Sequence, residues 1–96
     1  MAWSFLTNHA RTLLFLAGRP DARLVDIAAK LGVTERTAYG IVADLTAAGS
    51  LVKEREGRRN RYHVQHHLPI PDGLERQRTI GELLDVLMGT PIGPHR

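Results

Sequence analysis

The chain has no cysteine. That absence removes disulfides, thiolate metal ligands and cysteine nucleophiles together. No apolar stretch approaches the length of a membrane span, and the first residues lack the basic start and small-residue cleavage site of a secretion signal. A cytoplasmic protein with no membrane partner is the expectation. Catalytic hallmarks are missing as well: there is no glycine-rich phosphate loop opening a helix, no nucleophile elbow and no carboxylate pair with a supporting pocket. The acids stand isolated on exposed helix faces, so neither an enzyme nor a cofactor is expected.

What is present is an ordinary globular balance. Hydrophobic residues make up 43% of the 96 and charged residues 24%, which argues for one small domain with a limited core. The formal net charge is +3. So mild an excess permits a polyanionic partner without demanding one, and its location matters more than its size.

The chain is organised around residues 23–64. Two helical patterns meet at Gly32-Val33-Thr34: Ile27, Ala28 and Leu31 recur at helical spacing before the turn, and Ala38, Ile41, Val42 and Leu45 after it. Gly32 suits the positive φ that ends a helix, and Thr34 can accept from first-turn amides of the next. Helices are predicted over 25–31 and 35–48, stopped by Gly49. The first has no side-chain cap at Leu24 or Val25, but Asp26 favours its positive end. Two short helices joined so tightly cross steeply. Residues 50–64 then read as a hairpin. With Glu56-Gly57 as the turn, Leu51 stands opposite Tyr62 and Glu54 opposite Arg59. Lys53, Arg55, Arg58, Arg59 and Arg61 face only Glu54 and Glu56 in this segment, and the rest of the chain is close to neutral.

The run Asp26-Ile27-Ala28-Ala29-Lys30-Leu31-Gly32-Val33-Thr34-Glu35-Arg36-Thr37, continuing through Leu45-Thr46-Ala47-Ala48-Gly49, resembles the MarR-like and ArsR-like winged helix-turn-helix regulators. The following Leu51-Val52-Lys53-Glu54-Arg55-Glu56-Gly57-Arg58-Arg59-Asn60-Arg61-Tyr62 is similar to their wing. The resemblance spans roughly the middle half of the chain. It implies a transcriptional regulator that binds double-stranded DNA, usually as a homodimer, and identifies neither operator nor effector ligand. The fold expected is mostly α with a small β-hairpin wing (α+β), a winged helix-turn-helix with an additional C-terminal helix. Residues 1–68 would form the DNA-binding domain, and 69–96 a linker, dimerisation helix and tail.

The outward row of the second motif helix is Arg36, Gly40, Ala43 and Ala47, flanked by Thr37 and Tyr39. Arg36 near the helix start is placed to reach a guanine edge or a phosphate, with Thr34, Thr37 and Tyr39 beside it; local pairing, back-bonding and core cover are the competing roles. Gly40 departs from the family pattern, where a long polar or basic residue often sits, and costs the helix roughly 1 kcal/mol relative to alanine. With Ala43 and Ala47 also mute, the expected binding is mainly electrostatic and sequence-tolerant. Lys53, Arg55, Arg58, Arg59 and Arg61 are placed for phosphate and minor groove, against the commoner fate of a solvated charged edge. The small-residue row equally suits close packing on protein, so a winged-helix interaction module is the alternative, and RNA binding a lesser one.

Residues 3–17 and 74–88 read as outer helices. The first carries a stripe of Trp3, Leu6, Ala10, Leu13, Leu14 and Ala17, with Phe5 and Leu16 off it; Ser4 or Thr7 caps its start and Gly18-Arg19-Pro20 ends it. The last carries Ile80, Leu83, Leu84 and Leu87, with Arg78 able to pair with Glu82. Both faces are wider than one small core needs. Trp3, Phe5, Leu6, Leu13, Leu16, Ile80, Leu83, Leu84 and Leu87 are therefore the expected dimer contacts. Residues 22–24 are expected to be briefly extended, 65–73 a connector and 89–96 a frayed tail. His63, His66 and His67 tempt a metal reading, but no cysteine and no matching carboxylate accompany them, so no metal is expected. His9 reads as a packing residue.

Overall fold

The computed structural model describes residues 4–70 and 78–89. Its elements are α1 (Asn8–Gly18), α2 (Leu24–Leu31), α3 (Glu35–Ala47), β1 (Leu51–Glu56), β2 (Arg59–Val64) and α4 (Ile80–Met88). The chain is thus a small α+β protein: four helices among the described residues and one antiparallel hairpin that follows the third. It divides into two compact units, with the boundary along the chain between Val64 and Gln65.

In the first unit, α1 begins at Asn8 rather than at Trp3, which lies outside the described residues. Thr7 is extended (φ −68°, ψ 163°), and its hydroxyl accepts from the Ala10 amide at 3.1 Å, so the cap falls there. Phe5 precedes the helix and is exposed. The buried face is also rotated from the expected stripe. Thr12, Leu13 and Leu16 are buried, whereas Ala10, Leu14 and Ala17 are only half-buried. Thr12 tolerates complete burial because its hydroxyl donates to the Asn8 carbonyl at 2.7 Å.

Residues 22–24 are not a strand. Asp26 Oδ2 accepts from the Arg23 amide at 3.0 Å, which makes Arg23 the cap and Leu24 the first residue of α2. The loop still touches the hairpin, since the Tyr62 amide donates to the Pro20 carbonyl at 2.8 Å. Gly32 ends α2 with φ 74°, and two residues later Thr34 caps α3 by accepting from the Thr37 amide at 3.1 Å. α3 buries Ala38, Ile41, Val42 and Leu45. These pack with α1 and α2, and the base of the hairpin adds Leu51 and Tyr62 to the core. Leu16, Ile27 and Leu51 are its most completely buried large side chains, each contributing about 1.5–3 kcal/mol of transfer free energy.

The hairpin register differs by two residues from the sequence expectation. Leu51 pairs with Val64, Lys53 with Tyr62, Glu54 with Arg61 and Glu56 with Arg59. The turn is therefore Gly57-Arg58, with φ 61° at Gly57 and no positive φ at Arg58, the order of a type II′ turn. The expected turn would have put Glu56 first, where positive φ is costly for a residue with Cβ. The observed register also opposes two acid–base pairs rather than one. A shift of two leaves every side chain on its expected face.

The second unit is not an open connector followed by a helix. Residues 66–70 run antiparallel to 78–81: the Ile70 amide donates to the Arg78 carbonyl, Ile80 to Leu68, and Gly81 to His66 at 2.9 Å. A Cβ on Gly81 would lie 2.9 Å from the His66 Cβ, so glycine is what permits this approach. α4 begins at Ile80, not Leu74, because Thr79 and Glu82 form a reciprocal capping box; the expected residues 74–77 lie outside the described ones. Glu82 also accepts from Arg78 at 3.1 Å, the pair expected from spacing. The Thr79 amide, then Arg78, hold the Glu82 carboxyl below its usual value.

Candidate nucleic-acid interface

The outward side of α3 is open. Thr34, Arg36, Thr37, Tyr39, Gly40, Ala43 and Ala47 are all exposed, Tyr39 at 64%. Thr34 and Thr37 are tied to each other, hydroxyl to hydroxyl at 3.1 Å, as part of the cap. The side chains of Arg36 and Tyr39 make no hydrogen bond or ion pair with any described residue. A Cβ built on Gly40 would meet nothing within 4 Å. The electrostatics of this face are weaker than its shape. Its single cation, Arg36, is set against Glu35 and Asp44, and Asp44 is engaged by His9 Nε2 at 2.8 Å.

The cationic density lies in the hairpin, which touches α3 through β1. Its five basic residues against two acids account for the whole net charge of +3. The alternation of the strands splits them. Lys53 and Arg55 share a face with Leu51, Tyr62 and Val64, while Arg59 and Arg61 share the other with Glu54, Glu56 and His63. Some of this charge is already used. Arg55 Nε donates to the Gly57 carbonyl at 2.9 Å, and Glu54 sits 2.8 Å from His63 Nε2. Arg59 reaches out of the hairpin and donates to the Asp21 carbonyl at 3.0 Å. Lys53, Arg58 and Arg61 have no such partner among the described residues.

Arg59 closes one side of a cleft of about 250 Å³ between the hairpin turn and the start of α2. Arg23, Arg58 and Asn60 line it as well, with Asp21 as the one acid among the described residues there. Neither Arg23 nor Asn60 was singled out by sequence. The signal for Arg23 is its position directly before α2, but nothing local places it beside Arg58, thirty-five residues on.

No protein-family model matches the chain, and no curated protein does. Site roles therefore rest on its own geometry. His63, His66 and His67 do not gather: among the described residues, no three histidine, aspartate or glutamate side chains could hold a metal ion together. Nor is any described helix long and apolar enough to cross a membrane.

Of the residues expected at a subunit interface, Trp3 lies outside the described ones and the other eight differ in burial. Leu13, Leu16, Ile80 and Leu84 are buried within the single chain, at 7%, 0%, 3% and 2% exposure, so they are core rather than open contacts. Leu6 and Leu83 are half-buried, and Phe5 and Leu87 are exposed. Val86 and Met88 join Leu87 on the exposed apolar side of α4.

Proposed function

We propose that this protein is a winged helix-turn-helix DNA-binding transcriptional regulator that acts as a homodimer and tolerates sequence variation in its target. The observation that carries the reading is the packing of a hairpin holding the entire net charge against a helix whose outer side is exposed. In this arrangement α3 lies along the major groove, with Arg36, Thr37 and Tyr39 nearest the bases. Gly40, Ala43 and Ala47 allow close approach but read nothing. Lys53, Arg58 and Arg61 contact flanking backbone or minor groove. The exposed Val86, Leu87 and Met88 offer a second copy an apolar surface on α4, and two copies favour an inverted repeat with half-sites about one helical turn apart.

Titration of the purified protein onto labelled duplex DNA at increasing salt tests this. Binding is expected to fall steeply between low and physiological ionic strength, because neutralised phosphates release counterions. No binding, or binding indifferent to salt, overturns it. Selection of bound sites from random duplexes then reports the motif and its dyad.

A second reading has its own support. The open, small-residue surface around Gly40, bordered by Glu35 and Asp44, suits a protein partner better than a polyanion. Replacing Arg36, Arg58 and Arg59 by alanine separates the two: loss of duplex binding with folding intact favours DNA, and unchanged affinity favours the interaction module.

A further inference from the structure

We propose that the cleft between the hairpin turn and the start of α2 is a phosphate site, and that its occupant is one phosphodiester of a duplex backbone. The proposal deepens the DNA-binding reading and rests on it. Three arginines line the cleft: Arg23 from the cap of α2 and, thirty-five residues on, the neighbours Arg58 in the turn and Arg59 at the start of β2. Asp21 is the only acid lining it among the described residues. The Asp21 carboxylate lies 4.0 Å from Arg59 and offsets one of these charges, so two of the three lining arginines leave the recess with an excess of positive charge that an entering anion would neutralise.

The donors are available. A guanidinium carries five N–H groups in a planar fork that matches phosphate oxygens in pairs. Arg59 Nη2 donates to the Asp21 carbonyl at 3.0 Å and lies 4.0 Å from the Asp21 carboxylate, which fixes its side chain and leaves its other N–H groups. The side chains of Arg23 and Arg58 make no hydrogen bond or ion pair with any described residue. The start of α2 is not itself the attraction, since Asp26 already accepts from the Arg23 amide there.

Size and setting fit a polymer rather than a small molecule. At about 250 Å³ the cleft is below the roughly 300–1,000 Å³ of pockets that enclose a whole ligand. It holds a charged group, and the open rim lets a chain run past. The cleft also supplies what α3 lacks, because that helix opposes one arginine to two acids. The hairpin end therefore leads docking, and α3 follows.

The test uses the full chain and its Arg23→Ala, Arg58→Ala, Arg36→Ala and Lys30→Ala variants, each checked by thermal melting. Duplex affinity is measured at 50 and 200 mM salt. Removing one phosphate contact lowers the slope of log affinity against log salt by about 0.9, so the affinity lost over this range shrinks about threefold to fourfold. That change is expected for Arg23→Ala and Arg58→Ala and not for Lys30→Ala, with Arg36→Ala showing less. Arg58→Lys should keep the slope while weakening affinity, since lysine retains charge without the fork. In parallel, inorganic phosphate is titrated onto isotope-labelled protein, and shifts are expected at residues 21–24 and 58–60. Salt-sensitive duplex binding with slopes unchanged by Arg23→Ala and Arg58→Ala overturns the cleft alone. Phosphate shifts without duplex binding overturn the DNA reading, and the assigned occupant with it.

Discussion

His9 Nε2 lies 2.8 Å from Asp44 Oδ2, a contact that ties the first helix of the chain to the outer side of the third. Both side chains are well exposed, at 45% and 69%, so the bond is worth no more than roughly 0–1 kcal/mol. Its larger consequence is electrostatic, because Asp44 is one of two acids on the face proposed to meet DNA. Asp44→Asn should melt within a few degrees of the parent and bind duplex more tightly at low salt. An affinity equal to the parent's would place Asp44 away from the nucleic acid.

Gly40 sits in the middle of α3 with open space where a Cβ would be. Gly40→Ala should therefore stabilise the protein by about 1 kcal/mol, read as a rise of roughly 4–8 °C in melting temperature. Gly40→Arg should gain duplex affinity if α3 lies against the backbone. Stabilisation without any effect of the arginine on DNA would speak for the protein-docking reading.

Gly57 holds φ 61° at the hairpin turn. Alanine there should cost about 1–2 kcal/mol. The strain acts where Arg58 and Arg59 are presented, so duplex affinity should fall along with stability. Backbone amide shifts confined to residues 51–64 would locate the damage.

Leu16 has no solvent exposure. Leu16→Ala should destabilise by about 2–5 kcal/mol in urea unfolding, the range for truncating a buried leucine. Phe5→Ala, at an 89% exposed position, should change stability by less than about 0.5 kcal/mol. A large loss from Phe5→Ala in a concentration-dependent melt would instead place Phe5 in a subunit interface.

The Glu82 carboxyl is held below its usual value of 4.5, chiefly by the Thr79 amide and then by Arg78. A folded value lower than the unfolded one stabilises the charged form. The contribution is complete above about pH 4.5 and disappears as the pH drops through the lowered folded value. Amide exchange in α4 should accelerate as pH falls through that window once intrinsic rates are removed, and Glu82→Gln should abolish the dependence.

Short-range chemistry was legible from the sequence. Gly32 and Thr34 fix the stop and start of neighbouring helices because each acts on amides within four residues. The apolar spacing of α2 and α3 likewise gave their buried faces, and the crowding of arginine into 53–61 was plain in the order of residues. The same local rules apply to the Thr79-x-x-Glu82 box that starts α4.

Other features depended on partners distant in the chain. Spacing alone rotated the buried face of α1 away from Thr12 and Leu16, because that face is set by what α3 and the hairpin offer to pack against. The two-residue change of hairpin register followed from where a positive φ is tolerated, and it sets Glu54 opposite Arg61 and Glu56 opposite Arg59. The approach of residues 66–70 to Gly81 had no local cue. Likewise, the sequence by itself determined how many arginines the chain carries near the hairpin. Only the tertiary structure decided that Arg23 stands beside Arg58 and Arg59, because the packing of α2 and the closure of the hairpin onto Pro20 bring together charges that linear order keeps apart.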